Sequence, residues 1–226
     1  MRKFVILIVC AVSMAAVYAG DLANFINLGF SADGSRFAFG QYGRTDGDYR
    51  AYADVFCVDV AKNDFVPGGR FSTAPAASTA GKDGRSVFLD LQSTAGDFLG
   101  KQSILAAQQG RSLYVQAENE PNLKKISFRD FETGTEYTVT MYVLAEGSGG
   151  KVRSSFYLMA EMTDQAGNKT VKTVGTPSLK RSGVSDYLIR RIVTDSTGKS
   201  LVFVVEKKLY EKNGDSARYM VETCRL

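Results

Sequence analysis

The chain contains no histidine and no tryptophan, and only three cysteines and four prolines among its 226 residues. Without histidine there is no Ser-His-Asp or Cys-His catalysis, no HExxH zinc site, and no use of the commonest general base near neutral pH. Without tryptophan a sugar-binding surface loses a favoured stacking residue, although eleven tyrosines remain as substitutes. Beyond the first twenty residues no apolar run is long enough to cross a bilayer as a helix.

The amino terminus reads as an address. Arg2 and Lys3 make a short positive start, and residues 4–17 are almost wholly apolar. Val17-Tyr18-Ala19 places small residues at the two positions a signal peptidase reads. This pattern predicts a secretory signal peptide over residues 1–19, because fourteen apolar residues are too few to span a membrane. A lipoprotein reading of Cys10 fails, since Ile8 and Val9 stand where a lipobox wants small residues. Export is therefore expected, to the periplasm or the medium.

Residues 20–226 have the length of a single domain with a sizeable core. Losing Arg2 and Lys3 brings 28 bases to 26 against 24 acids, so the charge falls from +4 to +2. Such a near-neutral exported chain has no general electrostatic reason to bind nucleic acid. Two cysteines remain, Cys57 and Cys224, both in strand-like segments. An even count in an oxidising compartment points to a disulfide, and burial of two free thiols accounts for them equally well.

Alternating apolar residues predict strands at 25–30, 36–42, 51–60, 112–117, 125–131, 135–145, 152–162, 169–174, 187–194, 200–210 and 218–224. A shorter extended piece is expected at 65–66. Glycine-bearing turns separate most of these runs, and those from 112 to 174 have the spacing of an antiparallel meander. The period changes at 84–110, where Val87, Phe88, Leu91, Ala95, Phe98, Leu99, Leu105 and Ala106 recur at three and four residues. Asp83 suits an N-cap and Gly110 a stop, with Gly96 and Gly100 able to divide the helix in two. The expectation is mainly β: antiparallel sheets, in a sandwich or a propeller-like arrangement, with one helical insertion within 72–110.

The motifs that suggest chemistry fail on context. Gly198-Lys199-Ser200 resembles the end of a phosphate-binding loop, but Val193 replaces the required glycine and a strand follows. Ser196 with Lys199 and Ser148 with Lys151 match S-x-x-K, yet both sit in glycine turns rather than on a helix. Asp46, Asp48 and Asp54 offer oxygens for calcium, but Arg44 and Arg50 flank the loop and favour a solvated turn. Asn168-Lys169-Thr170 is a glycosylation sequon by letter, and a turn already explains it. The last third is basic, with Lys180, Arg181, Arg190, Arg191, Lys199, Lys207, Lys208 and Lys212. Strand alternation sends Arg190 and Arg191 to opposite faces, which argues against a single patch and for edge protection by charge.

Residues 28–39 and 192–203 echo each other as strand, polar turn with glycine, and apolar strand. The first copy resembles the hairpins of TolB-type β-propeller repeats; two copies so far apart do not make a propeller period. A broader resemblance rests on Phe-Ile-Asn-Leu-Gly-Phe-Ser at 25–31, Phe-Gly-Gln-Tyr-Gly at 39–43, and Val-Phe-Cys-Val-Asp-Val at 55–60. Phe-Val-Pro-Gly-Gly at 65–69 and Arg-Tyr-Met-Val-Glu-Thr at 218–223 complete it. On these the chain resembles a bacterial family of predicted secreted proteins of unknown function. The resemblance implies export and a bacterial origin, and transfers no site residue.

Two functional classes follow. The first is a non-enzymatic periplasmic or secreted domain that binds or scaffolds, its partner an envelope protein or a glycan. The alternative is a carboxylate-dependent hydrolase of the cell envelope, which needs no histidine. Asp54, Asp59, Asp90, Glu118 and Glu120 are its candidate acids. A deep cleft with two carboxylates about 5–10 Å apart would favour that hydrolase. No cofactor and no metal are expected.

Overall fold

Strand-forming runs and glycine turns translate directly into antiparallel sheets. The computed structural model describes residues 21–117, 120–211 and 214–226. The first sheet is a meander of β1 (Asn24–Phe30), β2 (Arg36–Arg44), β3 (Ala51–Asp59) and β4 (Asp64–Thr73). One helix follows, α1 (Gly84–Lys101), and then β5 (Arg111–Val115). A third sheet comprises β6 (Lys125–Arg129), β7 (Glu136–Glu146), β8 (Arg153–Thr163), β9 (Lys169–Val174) and β10 (Arg181–Ser182). The last strands are β11 (Val184–Thr194), β12 (Ser200–Glu211) and β13 (Gly214–Arg225). With β5 they form the second sheet, in the order β13-β12-β11-β5.

The second sheet is the middle layer. Leu201, Phe203 and Val205 point from β12 into a core shared with the third sheet, against Phe156, Leu158 and Val139. Val202 and Val204 point the other way, against Phe30, Phe37 and Phe39 of the first sheet. Burial on both faces explains why residues 201–205 are uninterruptedly apolar, where a half-exposed strand would alternate. Each such side chain contributes about 1.5–3 kcal/mol of burial. The layers therefore stack in line, as a sandwich extended by one sheet.

The far face of the first sheet carries α1. Val87, Phe88, Leu91, Ala95 and Leu99 form its buried stripe. They pack on Ala38, Ala51, Ala53, Val55 and Cys57. Asp83 caps the helix by accepting from the Ser86 amide at 2.9 Å, a contact worth about 1 kcal/mol. The helix runs unbroken through Gly96 and stops at Lys101, nine residues short of Gly110. Ile104 there bridges Ser31, and the Leu105 amide donates to the Phe30 carbonyl at 3.2 Å, which draws the chain back onto the sheet.

Three further boundaries depart from the alternation pattern. β4 is longer than the extended piece expected at 65–66, continuing through Pro67-Gly68-Gly69 to Thr73, two residues into the 72–110 stretch expected to hold the helical insertion. It is an edge strand, where a missing amide is tolerated, and its register shifts opposite residues 56 and 58. β5 leaves the expected meander and pairs with β11 instead. β10 is a two-residue strand against β8 that the pattern does not reveal.

The two echoing turns have the same backbone. Ser31 and Asp195 each donate across the turn, to Arg36 and Ser200 carbonyls, and Gly34 and Gly198 have φ of +67° and +70°. They also touch, because the Ser200 hydroxyl donates to the Gly34 carbonyl at 2.8 Å.

Candidate functional site

A bulge in β11 builds the largest cleft described. Ile189 pairs with Val205 and Arg191 with Val204, so Arg190 is an extra residue with no counterpart on β12. The inward phase slips accordingly: Tyr187 and Ile189 face the third sheet, then Ile192 does. β5 adapts to the bulge, with the Gln116 amide donating to the Arg190 carbonyl at 2.9 Å. A bulge re-aims side chains, and here it brings Arg190 and Arg191 to the same cleft of about 780 Å³. The expectation that they lie on opposite faces is thus corrected: strict alternation holds only while the ladder has no extra residue.

The segment from Asp21 to Phe30 forms the opposite wall. It starts beside β13, where the Ala23 amide donates to the Ala217 carbonyl at 3.1 Å. It ends near the approach to β5, where the Phe30 amide donates to the Gln108 carbonyl at 2.7 Å. Phe25 is fixed by stacking on Phe39 at 5.8 Å and by an edge contact with Tyr219 at 5.5 Å. The floor carries Val204, Glu206, Ala217 and Tyr219, and residues 115–117 close the far side.

The electrostatics of this cleft are simple. Arg190 Nε meets a Glu206 carboxylate oxygen at 2.7 Å. Burial, then the negative charge of Glu206, pushes the Tyr219 phenol above its ordinary pKa, while Arg190 and Arg191 pull it down. The Tyr219 amide donates to Gln41 Oε1 at 2.7 Å, which ties the floor to the first sheet. Glu206 is the one carboxylate among the described lining residues, and two guanidiniums stand with it. The arrangement favours binding of a negatively charged group over general acid–base work by a carboxylate pair.

The acids singled out from sequence do not meet there. Asp54, on β3, accepts from Gln41 at 2.9 Å and Ser72 at 2.6 Å. Asp59 closes the same strand, five residues on, with Arg36 at 2.8 Å. At about 3.3 Å per residue the two are roughly 16 Å apart. Asp90 is exposed on α1, Glu120 is exposed in a loop, and Glu118 lies outside the described residues. Asp48 pairs with Arg50 at 2.9 Å, and Asp46 lines a separate cleft of about 380 Å³ with Asp21 and Asp83. Asp83 is committed to the helix cap, and Asp21 to Arg218 at 2.6 Å and Tyr52 at 2.9 Å. Among the described residues no group of three or more His, Cys, Asp or Glu is placed to hold a metal ion.

Cys57 and Cys224 are both free. Cys57 sits under α1 in the first sheet, and Cys224 packs into the core between the second and third sheets. One sheet-to-sheet spacing of about 10 Å separates their strands, and a disulfide needs Cα atoms within about 7 Å. Burial pushes both thiols up to about 11.

The remaining bases are mostly paired: Lys180 with Glu146 and Lys208 with Asp215, both at 2.7 Å. Lys207 is half-buried, and burial, then Arg181 and Arg218, lower it to about 8. Lys212 lies outside the described residues. Sequence reasoning missed Gln116, Glu206 and Tyr219 as cleft residues. Their one signal was the Arg190-Arg191 doublet inside an otherwise apolar strand, which a bulge makes intelligible.

A family model described as predicted secreted protein (DUF2259) matches residues 38–225. No curated protein and no solved structure gives a significant match. No described helix is long and apolar enough to cross a membrane. The match spans most of the chain, from within β2 to the end of β13, so the chain belongs to the DUF2259 family of predicted secreted proteins.

Proposed function

We propose that the protein works in the periplasm or outside the cell as a non-enzymatic binding domain. Its ligand site is the cleft of Arg190 and Arg191. The observation that carries this reading is the β11 bulge, which places both guanidiniums beside a single, ion-paired carboxylate. The absence of histidine from the sequence and the dispersal of Asp54, Asp59 and Asp90 support it. The predicted signal peptide, together with the family assignment, supports action after export.

The test is capture from native envelope extract by the immobilised mature protein, in parallel with Arg191→Glu. Material held by the wild type should drop at least tenfold with the variant, since placing a like charge against the ligand's commonly costs several kcal/mol. Equal capture by both, or steady turnover of envelope material that Arg191→Glu leaves intact, would remove the cleft from the functional account.

A further inference from the structure

The cleft also touches backbone in a way that selects a ligand class. Residues 22, 23, 24 and 25 all line it. Side chains of successive strand residues point to opposite faces, so a cleft that meets four in a row meets the strand's edge. β1 is that edge: it pairs with β2 alone in the sheet order β1-β2-β3-β4. At one end the edge is closed by the Ala23 amide on the Ala217 carbonyl. At the other it is closed by the Phe30 amide on the Gln108 carbonyl and by Asn27 Nδ2 on the Gln109 carbonyl at 2.8 Å. Between these ends, among the described residues, no backbone group on the outer side of residues 24–27 bonds to another segment. The open window is about 13 Å long at 3.3 Å per residue.

We infer, resting on the reading of the cleft as a ligand site, that its occupant is an extended acidic polypeptide segment that adds to β1 as a further strand. An unpaired edge presents donors and acceptors at the repeat of another peptide backbone, which is the basis of strand addition. The chemistry of the floor sets the charge. Arg190 is matched by Glu206, whereas Arg191 makes no ion pair among the described residues. A carboxylate side chain projecting from the added strand toward Arg191 supplies the missing partner. Phe25 and Val204 give its apolar neighbours a surface.

The probe is the peptide acetyl-Val-Glu-Val-Glu-Val-amide, titrated into the ¹⁵N-labelled mature protein. Trigalacturonic acid and the Val-Gln version of the peptide are run beside it. The acidic peptide should slow hydrogen exchange at alternate amides of residues 24–27 by tenfold or more. Its affinity should fall about tenfold with the Gln peptide and with Arg191→Gln, whose melting temperature serves as the folding control. Methylating the peptide's alternate amide nitrogens should abolish binding. Binding that tolerates methylation overturns strand addition. Trigalacturonic acid perturbing Arg191 while the peptide does not bind also overturns it, leaving the cleft as an anionic-glycan site. Perturbation of the cleft by none of the probes overturns the peptide inference, and the envelope capture then decides separately whether the cleft binds at all.

Discussion

Asp130 shows how much one turn residue can carry. It is 3% exposed in the turn between β6 and β7. Arg111 of β5 donates to it from both terminal nitrogens, one at 2.9 Å, and Thr133 adds a hydroxyl at 2.8 Å and Glu132 an amide at 3.0 Å. The Arg111 bond, then Thr133 and Glu132, hold its carboxyl well below the usual range against the opposing effect of burial. The contact joins the second sheet to the third. Arg111 is partly exposed, so Asp130→Asn should cost about 1–3 kcal/mol at pH 7, below the 3–5 typical of a fully buried pair. The sign of the pH effect follows from the depressed folded value. The unfolded chain takes up its proton near pH 4 and the folded chain only at lower pH. This part of the stability is therefore fully present above about pH 4 and is lost as pH falls toward the folded value. Urea unfolding at pH 7 and pH 3 should show the gap between wild type and Asp130→Asn narrowing at the lower pH; a constant gap would contradict the assignment.

At the scale of elements, α1 depends on a glycine it does not contain. A Cβ at Gly40 of β2 would lie 2.3 Å from the Phe88 ring and 2.9 Å from the Asp54 carbonyl. Gly96 is exposed on the helix, and a Cβ added there would meet nothing within 4 Å. Gly40→Ala should therefore destabilise by about 1–3 kcal/mol through overpacking, while Gly96→Ala should stabilise by up to about 1 kcal/mol through helix propensity. Thermal melts that moved both variants in the same direction would refute the contrast. The sequence showed α1's stripe and cap plainly, because residues 83–99 follow one period. It showed most strands for the same reason. It did not show that β5 pairs with β11, since a contact between residues 115 and 191 leaves no local trace. Nor did it show the Arg190 bulge, because one added residue breaks the two-residue period on which the reading depends. The candidate cleft was illegible for both reasons: it stands where a non-local pairing and a bulge coincide.

Across the whole molecule, the layers are coupled through the middle sheet. β12 sends Phe203 to one core and Val202 to the other, so neither interface can open without exposing apolar surface on a strand the other needs. α1 is an outer layer, since its buried stripe packs on the first sheet alone. The two thiols report on separate parts of this stack, Cys57 beneath α1 and Cys224 between the second and third sheets. Both are held up to about 11 by burial, so neither reacts appreciably while its layer is closed. If the stack unfolds as one unit, Cys57→Ser and Cys224→Ser, each made in a chain of residues 20–226 and leaving one of the pair, should become reactive to a thiol reagent at the same urea midpoint once corrected for each variant's own stability. A chain of residues 20–226, unfolded and unreduced, should titrate two thiols. Labelling of Cys57 at lower urea than Cys224 would show that α1 lifts off the first sheet as a separate unit. Fewer than two thiols would show that a disulfide joins Cys57 to Cys224.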